Sequence, residues 1–127
     1  MTSWTTHELH DIGEAEELQL ASRRPDGTLR NYVTIWTVRV GESIYVRSGY
    51  GAKNPWYVRA VESGTGRISA GGVEKDVAFD TSIPDAAGEI DAAYHAKYDR
   101  FGEKIVSSVA GEGTHVATLR ILPQLTS

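Results

Sequence analysis

Hydrophobic and polar residues alternate along most of this chain, while three shorter stretches carry apolar residues at helical spacing. Alternation indicates strands, joined in part by glycine-containing hairpin turns at positions 41–42 and 71–72. The predicted strands cover 16–24, 29–40, 43–48, two arms within 66–80, and 115–123, and the predicted helices cover 5–13, 55–63 and 84–102. About six strands and three helices predict a mainly β chain of the α+β class, a β-barrel with helical additions.

Short local signals indicate where two of the helices begin. Thr5 is followed three residues later by Glu8, which is the spacing of a capping box. A helix that begins here would have Leu9 and Ile12 on its inward face. Asp85 stands where the third helix would be capped. The apolar stripe of that helix is Ile90, Tyr94, Tyr98 and Phe101.

The predicted strand over 29–40 is apolar on both faces. One face holds Val33 and Ile35, and the other holds Tyr32, Thr34, Trp36, Val38 and Val40. Residues that are β-branched or aromatic favour a strand. Because both faces carry apolar groups, we expect both to be covered, as in a barrel wall that also packs against another element.

Composition narrows the class of protein. The 127 residues fit one domain spanning 1–127, and a hydrophobic fraction of 40% is enough for a core. The absence of cysteine excludes disulfides and thiolate metal sites. The polar start lacks the regions of a signal peptide, and no apolar run reaches the ~18 residues of a membrane span. We therefore expect a cytoplasmic protein with no membrane partner.

Charge is distributed unevenly along the chain. The net charge is −4, yet residues 22–59 contain seven cations and two anions. A basic segment within an acidic protein suits a small anion held at one place, whereas a nucleic-acid-binding protein usually has a wider excess of cations. The alternative is that these cations point outward from strands and are simply solvated.

The stretch "RSGYGAKNPWYVRA", residues 47–60, offers such an anion a site. Gly49 and Gly51 free the backbone to turn several N–H groups toward one point, and Lys53 adds a full positive charge. Pro55 then opens a helix, whose first N–H groups add partial positive charge. A strand, a glycine-rich loop and a helix N-terminus in this order predict a phosphate site.

The earlier turn adds to this hypothesis, because Arg24 and Arg30 flank it and could supply forked donors to further anionic oxygens. The alternative is that the glycines only make a turn. Neither a P-loop nor a complete Gly-x-Gly-x-x-Gly fingerprint is present, so the pattern alone does not decide between the two.

Other chemistry has less support. His7 and His10 lie near two acids, but no further ligands cluster with them, so we expect no metal site. His115 follows a glycine-containing loop and is a candidate general acid. Tyr94 and Tyr98 could line a substrate pocket and donate a proton, with core packing as the alternative. No Gly-x-Ser-x-Gly elbow is present, which argues against a hydrolase.

The stretch "YVRSGYGAKNPWYVRA" resembles the phosphate loop of the flavin- and deazaflavin-binding split-barrel superfamily, which includes pyridoxamine-phosphate-oxidase-like proteins and deazaflavin-dependent nitroreductases. The positions that match the nitroreductase loop are Ser48, Gly51, Ala52, Pro55, Trp56 and Tyr57. "SRRPDGTLRNYVTIW", residues 22–36, resembles the basic turn of the same family. The segments "ELHDIG", "ASRRPDGTLR" and "VTIWTVRVG" are similar to a small uncharacterised bacterial family within this superfamily.

The resemblance implies a split β-barrel that forms a homodimer, with a cofactor site at or near the dimer interface. The cofactor-binding residues that it implies are Arg24, Arg30, Ser48, Gly49, Gly51, Ala52, Lys53 and Trp56, with the ring system near Thr34 and Trp36. Tyr50 stands where the family frequently has glycine. The resemblance implies that Tyr50 lines the substrate pocket and narrows it. The choice between FMN, a deazaflavin coenzyme and no cofactor stays open.

Two functions follow as hypotheses. The first is a flavin- or deazaflavin-dependent oxidoreductase that transfers hydride to a small conjugated or aromatic substrate. The alternative is a non-catalytic module that binds a flavin, a haem-like molecule or another anionic small ligand. Nucleic-acid binding is not expected, because the chain is acidic overall and its aromatic residues form no repeated stacking platform.

Overall fold

A computed structural model describes residues 4–48, 54–81, 87–102 and 118–123, and these contain three helices and seven strands. The helices are α1 Thr6–Glu14, α2 Pro55–Ser63 and α3 Ala87–Tyr98, which a 3₁₀ turn over Asp99–Phe101 extends. The strands are β1 Leu18–Ser22, β2 Val33–Ile35, β3 Thr37–Val40, β4 Ser43–Arg47, β5 Thr65–Ala70, β6 Val73–Asp80 and β7 Thr118–Pro123.

The strands form one antiparallel sheet in the order β2-β1-β5-β6-β7-β4-β3. Its two edge strands, β2 and β3, are consecutive in the chain and separated only by Trp36. One residue spans only ~3.5 Å, so the two edges must come close together, and the sheet curls into a nearly closed barrel. This confirms the predicted mainly β barrel with three helices, with one strand more than predicted.

The additional strand comes from residues 29–40, where the prediction of a single strand was wrong. Leu18 pairs with Ile35 on one edge, whereas Thr37 pairs with Val46 on the other edge. The chain therefore changes partner strands at Trp36. Both faces of this segment are apolar, so its hydrophobic pattern continues through the change of partner and gives no sign of it.

The inner face of the barrel and two helices form the main core. Residues that are fully or almost fully buried in it include Leu9, Ile12, Leu18, Leu20, Ile44, Val46, Tyr57, Ala60, Ile68, Val77, Leu119 and Ile121. The side chains of Val33 and Ile35 pack against this cluster. The face predicted for them in the sequence is therefore the inward face.

The opposite face of β3 and β4 is covered by α3. Ile90, Tyr94 and Tyr98 are fully buried there with Val38 and Tyr45, while Trp36 and Val40 pack at the edge of this second cluster. The expectation that both faces of the 29–40 segment are covered is thus confirmed. Phe101, the last residue of the predicted stripe, is 36% exposed and lies against the rings of Trp36 and Tyr98.

The N-terminal capping box is present as predicted. Thr5 Oγ1 accepts the N–H of Glu8 at 3.1 Å, and the Glu8 carboxylate accepts the N–H of Thr5 at 2.9 Å. Lys75 on β6 donates to the same carboxylate at 2.8 Å. Burial raises the pKa of Glu8, but the hydrogen bonds from Lys75 and Thr5 outweigh it and leave the pKa below its ordinary value.

Both predicted hairpin turns are present, and Gly71 in the second turn also touches α1. Gly71 and Gly72 join β5 to β6 with φ angles of 57° and 85°. A Cβ atom on Gly71 would lie 2.1 Å from the carbonyl oxygen of Asp11, whereas one on Gly72 would meet nothing within 4 Å. Gly71 therefore serves the turn and also a close approach of backbone to helix.

Candidate functional site

The turn between β1 and residue 30 is held by its own side chains. The Asp26 carboxylate accepts the N–H of Thr28 at 3.0 Å and its hydroxyl at 2.6 Å, and these hydrogen bonds lower the pKa of Asp26. The N–H of Arg24 donates to the Thr28 carbonyl at 2.7 Å, and Gly27 has a φ of 90°. The turn thereby keeps Arg24 and Arg30 at fixed places on its two arms.

Helix α2 forms the opposite side of the site. Asn54 occupies its N-cap position but makes no side-chain capping bond, and Pro55 stands in the first turn, as predicted. Gly64 ends the helix in the left-handed conformation. The helix packs on β1 through its inward face. Trp56, which is partly buried against the main core, and the exposed Arg59 lie beside Arg30 of the turn.

A basic hollow lies between this turn and α2, with a volume of about 390 Å³. Its lining comprises Arg23, Arg24, Pro25, Gly27, Arg30, Arg59, Glu62, Ser63 and Thr65. A smaller recess of about 30 Å³ adjoins it, because Arg30 and Arg59 line both, and this recess extends past Trp56 to Val33 on β2. Four arginines and a single acidic residue thus border one concave surface, with a tryptophan at its end.

The four arginines differ in how their charge is compensated. Arg23 pairs with Asp76 on β6 at 3.3 Å and donates to the Gly27 carbonyl at 2.8 Å. Arg24 donates to neutral acceptors of its own turn, the hydroxyl of Thr28 and a backbone carbonyl. These two guanidinium groups are therefore occupied in holding the turn.

Arg30 and Arg59 lack such partners. Among the described residues, no carboxylate lies within ion-pair distance of either side chain. The Nε of Arg30 is buried, and within the same part of the chain it has no hydrogen-bond partner. A buried donor on a charged group normally finds an acceptor, so an external anion is the natural partner for this atom.

The chemistry of this hollow suits an oxyanion such as phosphate. Guanidinium groups bind phosphate through forked, charge-assisted hydrogen bonds, and two of them converge here without a competing carboxylate. The indole of Trp56 lies beside them in the recess and offers an apolar surface to the organic part of such a ligand. The residues present therefore fit the phosphate of a flavin-type cofactor.

Of the residues predicted from sequence, the structure places Arg24 and Arg30 in the lining of this hollow and Trp56 in the adjoining recess. It adds Arg59, one of the seven cations of the basic segment, which was not predicted for the site. The missed signal is helical spacing: Trp56, Arg59 and Ser63 recur at i, i+3 and i+7 on one face of α2.

Other predicted residues lie elsewhere. Ser48 follows β4, is fully buried, and its hydroxyl has no hydrogen-bond partner among the described residues, but it is not part of the hollow's lining. Thr34 is exposed on β2, and Trp36 stacks on Tyr98 with ring centroids 4.0 Å apart. The predicted loop residues Gly49, Tyr50, Gly51, Ala52 and Lys53 lie outside the described residues, as do Asp85 and His115.

The two tyrosines proposed for a substrate pocket are both fully buried in the second cluster. The hydroxyl of Tyr98 lies 2.6 Å from the carbonyl oxygen of Glu16 and 2.9 Å from that of Thr37, and burial chiefly raises its pKa to about 12. Burial also raises the pKa of Tyr94. This placement matches the core-packing alternative, so the candidate site does not include them.

Of the two histidines considered for metal binding, His7 lies 2.9 Å from Asp11 one helical turn away. His95, on α3, lies 2.9 Å from Asp99 in the same arrangement. Within the described ranges no three histidine, aspartate or glutamate side chains come together as a metal site would require. The same ranges contain no helix long and apolar enough to cross a membrane.

This chain forms a nearly closed antiparallel barrel with three helices, and an arginine-lined hollow lies beside α2. Its fold is of the split-barrel class. Residues 8–121 match the sequence profile of a family described as "Uncharacterized protein conserved in bacteria (DUF2255)". The chain belongs to this family, which confirms the bacterial family expected from its segments. No curated protein matches the sequence.

Several solved structures are similar to this chain, and the first two of the three described next share its fold. A conserved hypothetical protein from Mycobacterium tuberculosis is 12% identical, with 99% of this chain and 83% of that chain covered and a TM-score of 0.64. An F420 reductase is 18% identical over 93% of each chain, with a TM-score of 0.57. A pyridoxamine 5'-phosphate oxidase-related, FMN-binding protein from Nostoc punctiforme is 12% identical, with 93% of this chain and 74% of that chain covered and a TM-score of 0.48.

Proposed function

We propose that this protein binds a phosphate-bearing flavin or deazaflavin cofactor, with the phosphate in the basic hollow, and transfers hydride to a small conjugated or aromatic substrate. The observation that carries the proposal is Arg30, whose buried Nε lacks a partner among the described residues and lies beside the uncompensated Arg59. The fold shared with an F420 reductase supports a cofactor of this kind.

The residues of this chain have separate tasks in the proposal. Arg30 and Arg59 hold the phosphate, Arg24 stiffens the turn that carries Arg30, and Trp56 packs against the ligand's apolar part. When bound, the cofactor supplies the hydride chemistry. The barrel wall supplies orientation and exclusion of water from the reacting face.

Further parts of the site remain proposals from the sequence. The loop with Ser48, Gly49, Gly51, Ala52 and Lys53 would complete the phosphate site, and Thr34 with Trp36 would border the ring system. A homodimer in which the cofactor lies near the interface is proposed on the same ground. Size-exclusion chromatography with light scattering tests this dimer directly.

Cofactor binding is tested by titrating the protein separately with FMN and with the deazaflavin coenzyme F420, and following absorbance or fluorescence. Arg30→Gln and Arg59→Gln each remove a charged donor, and we expect each to weaken binding by about 1–3 kcal/mol, which is about 5- to 150-fold in Kd. Arg39→Gln is the matched control: Arg39 is an exposed arginine whose Nε donates to the Gly41 carbonyl, outside the hollow. The control should bind like the unmodified protein.

Turnover is tested on the bound, reduced cofactor. Reoxidation that accelerates when a nitroaromatic or an enone is added supports the oxidoreductase. Binding without accelerated reoxidation supports the alternative of a non-catalytic binding module. If neither cofactor binds, the oxidoreductase proposal is wrong, and unchanged affinity in both arginine variants would place the phosphate outside this hollow.

A further inference from the structure

A second and larger hollow, of about 560 Å³, lies between α1, β3 and α3 and shares no residue with the basic hollow. The ionisable residues in its lining are Lys97, Arg39, Arg100, His10, Glu14 and Glu16. Nothing in the proposed function uses this hollow. It has the size of a small-molecule site and contains one partly buried amine.

The amine is that of Lys97 on α3. Its Nζ donates to the backbone carbonyl of Thr37 at 2.7 Å and lies 5.1 Å from the centroid of the Tyr98 ring. In the part of the chain that the structure describes, no carboxylate lies within ion-pair distance of it. Lys75 differs, because its Nζ is paired with the Glu8 carboxylate at 2.8 Å.

The surroundings favour the neutral form of Lys97. Burial lowers its pKa to about 8, and the positive charge of Arg100 acts in the same direction, while Glu14 and Glu16 oppose them. At pH 7, an amine with this pKa is neutral about one time in ten, against about one time in 2,500 for an ordinary lysine. A neutral amine is the nucleophilic form.

We infer that the hollow between α1, β3 and α3 binds a small carbonyl compound that carries an acidic group, such as a 2-oxo acid, and that Lys97 condenses with it reversibly. The Nζ lone pair attacks the carbonyl carbon and forms the C–N bond of an imine. The carbonyl oxygen leaves as water together with the two protons of the amine, and no oxidant or reductant is consumed.

The acidic group has a recognition element in the same lining. Arg39 donates through Nε to the carbonyl of Gly41 in its own turn. The guanidinium of Arg100 lies 3.9 Å from the carboxylate of Glu16, and the side chains of Arg100 and Glu16 are each more than half exposed. A loose ion pair of this kind contributes little and is readily exchanged for a ligand carboxylate. The inference uses only this hollow and does not depend on the proposed cofactor function.

Glyoxylate and sodium cyanoborohydride test the inference on the unmodified full-length protein, because the reductant traps the imine as a stable secondary amine. Peptide mapping by mass spectrometry then compares labelling of Lys97 with that of Lys75 near pH 7. The neutral form of a less basic amine is a weaker nucleophile than the neutral form of an ordinary lysine. We therefore expect Lys97 to be labelled at least about tenfold faster than Lys75, which is less than the ratio of their neutral fractions alone would give. Lys97→Arg should remove this label, with circular dichroism as the check of folding.

Acetaldehyde, which lacks the acidic group, separates the two parts of the inference. Arg100→Gln also removes a charge that lowers the pKa of Lys97, so labelling by both probes should slow, but glyoxylate labelling should slow about threefold or more beyond acetaldehyde labelling. Labelling of Lys97 no faster than that of Lys75 would overturn the inference. Equal effects of Arg100→Gln on both probes would overturn recognition of an acidic carbonyl compound.

Discussion

The arginine that joins the barrel to α3 offers a sharp test of the packing. The side chain of Arg47 on β4 is fully buried and pairs with Asp91 on α3, whose side chain is 23% exposed. Its Nε donates to Thr118 Oγ1 on β7 at 2.8 Å, and its guanidinium lies 5.7 Å from the ring centroid of Tyr94. One buried cation therefore connects two strands and a helix.

Truncating the carboxylate should be costly. In Asp91→Ala the buried guanidinium of Arg47 loses the Asp91 carboxylate, and a broken buried pair costs about 3–5 kcal/mol. The partial exposure of Asp91 admits water to the site, so we expect the lower end, about 3 kcal/mol. For a chain of this size that is a fall in Tm of about 10–15 °C.

Urea denaturation followed by tryptophan fluorescence measures this loss of stability. We expect the m value, which is the slope of the free energy of unfolding against urea concentration, to stay unchanged. Asp99→Ala is the matched control. Asp99 directly follows α3 and pairs with His95, and because both side chains are about half exposed, this pair should contribute less than about 1 kcal/mol. Arg47→Met together with Asp91→Ala should be less destabilising than Asp91→Ala alone, since the buried cation is then removed together with its carboxylate partner. A loss within about 1 kcal/mol of the control would refute the assignment of Arg47 and Asp91 as a buried pair.

Two further predictions concern α1 and the turn it touches. Gly71→Ala should destabilise the fold by about 2 kcal/mol or more, because the new methyl group would meet the Asp11 carbonyl in a backbone conformation that already disfavours a side chain. Gly72→Ala should cost only about 1 kcal/mol, and equal thermal shifts in the two variants would contradict the close approach. The lowered pKa of Glu8 means that its contribution to stability is full above its ordinary value of 4.5 and is lost as the pH falls through the folded-state value. Glu8→Gln should therefore flatten the dependence of Tm on pH below about 4.5, and an unchanged slope would show that this carboxylate is not involved.

Local patterns in the sequence were enough for most of the elements. The capping box of Thr5 and Glu8 needs only residues three apart, and Gly41 and Gly71 begin hairpin turns that their own conformation requires. Pro55 and Gly64 bound α2 for equally local reasons. These features were predictable because the interacting groups lie within a few residues of one another.

The candidate site was predictable only in part. Arg24 and Arg30 flank one turn, so the sequence itself keeps them close. Arg59 joins them only because α2 packs against β1. Arg23 is paired with Asp76 only because β6 lies near that turn. Which charges remain free is thus a property of the packed structure.

The sequence by itself determined a mainly β chain with three helices, its hairpins and a basic turn, since each depends on periodicity or on neighbouring residues. Only the tertiary structure decided that the chain crosses at Trp36 from one edge of the sheet to the other, and that Lys97 meets α1 and β3 in a hollow. The order of the strands decides the first and the packing of α1 and α3 against β3 decides the second, because each brings together residues that are far apart in the chain and leaves no local signature.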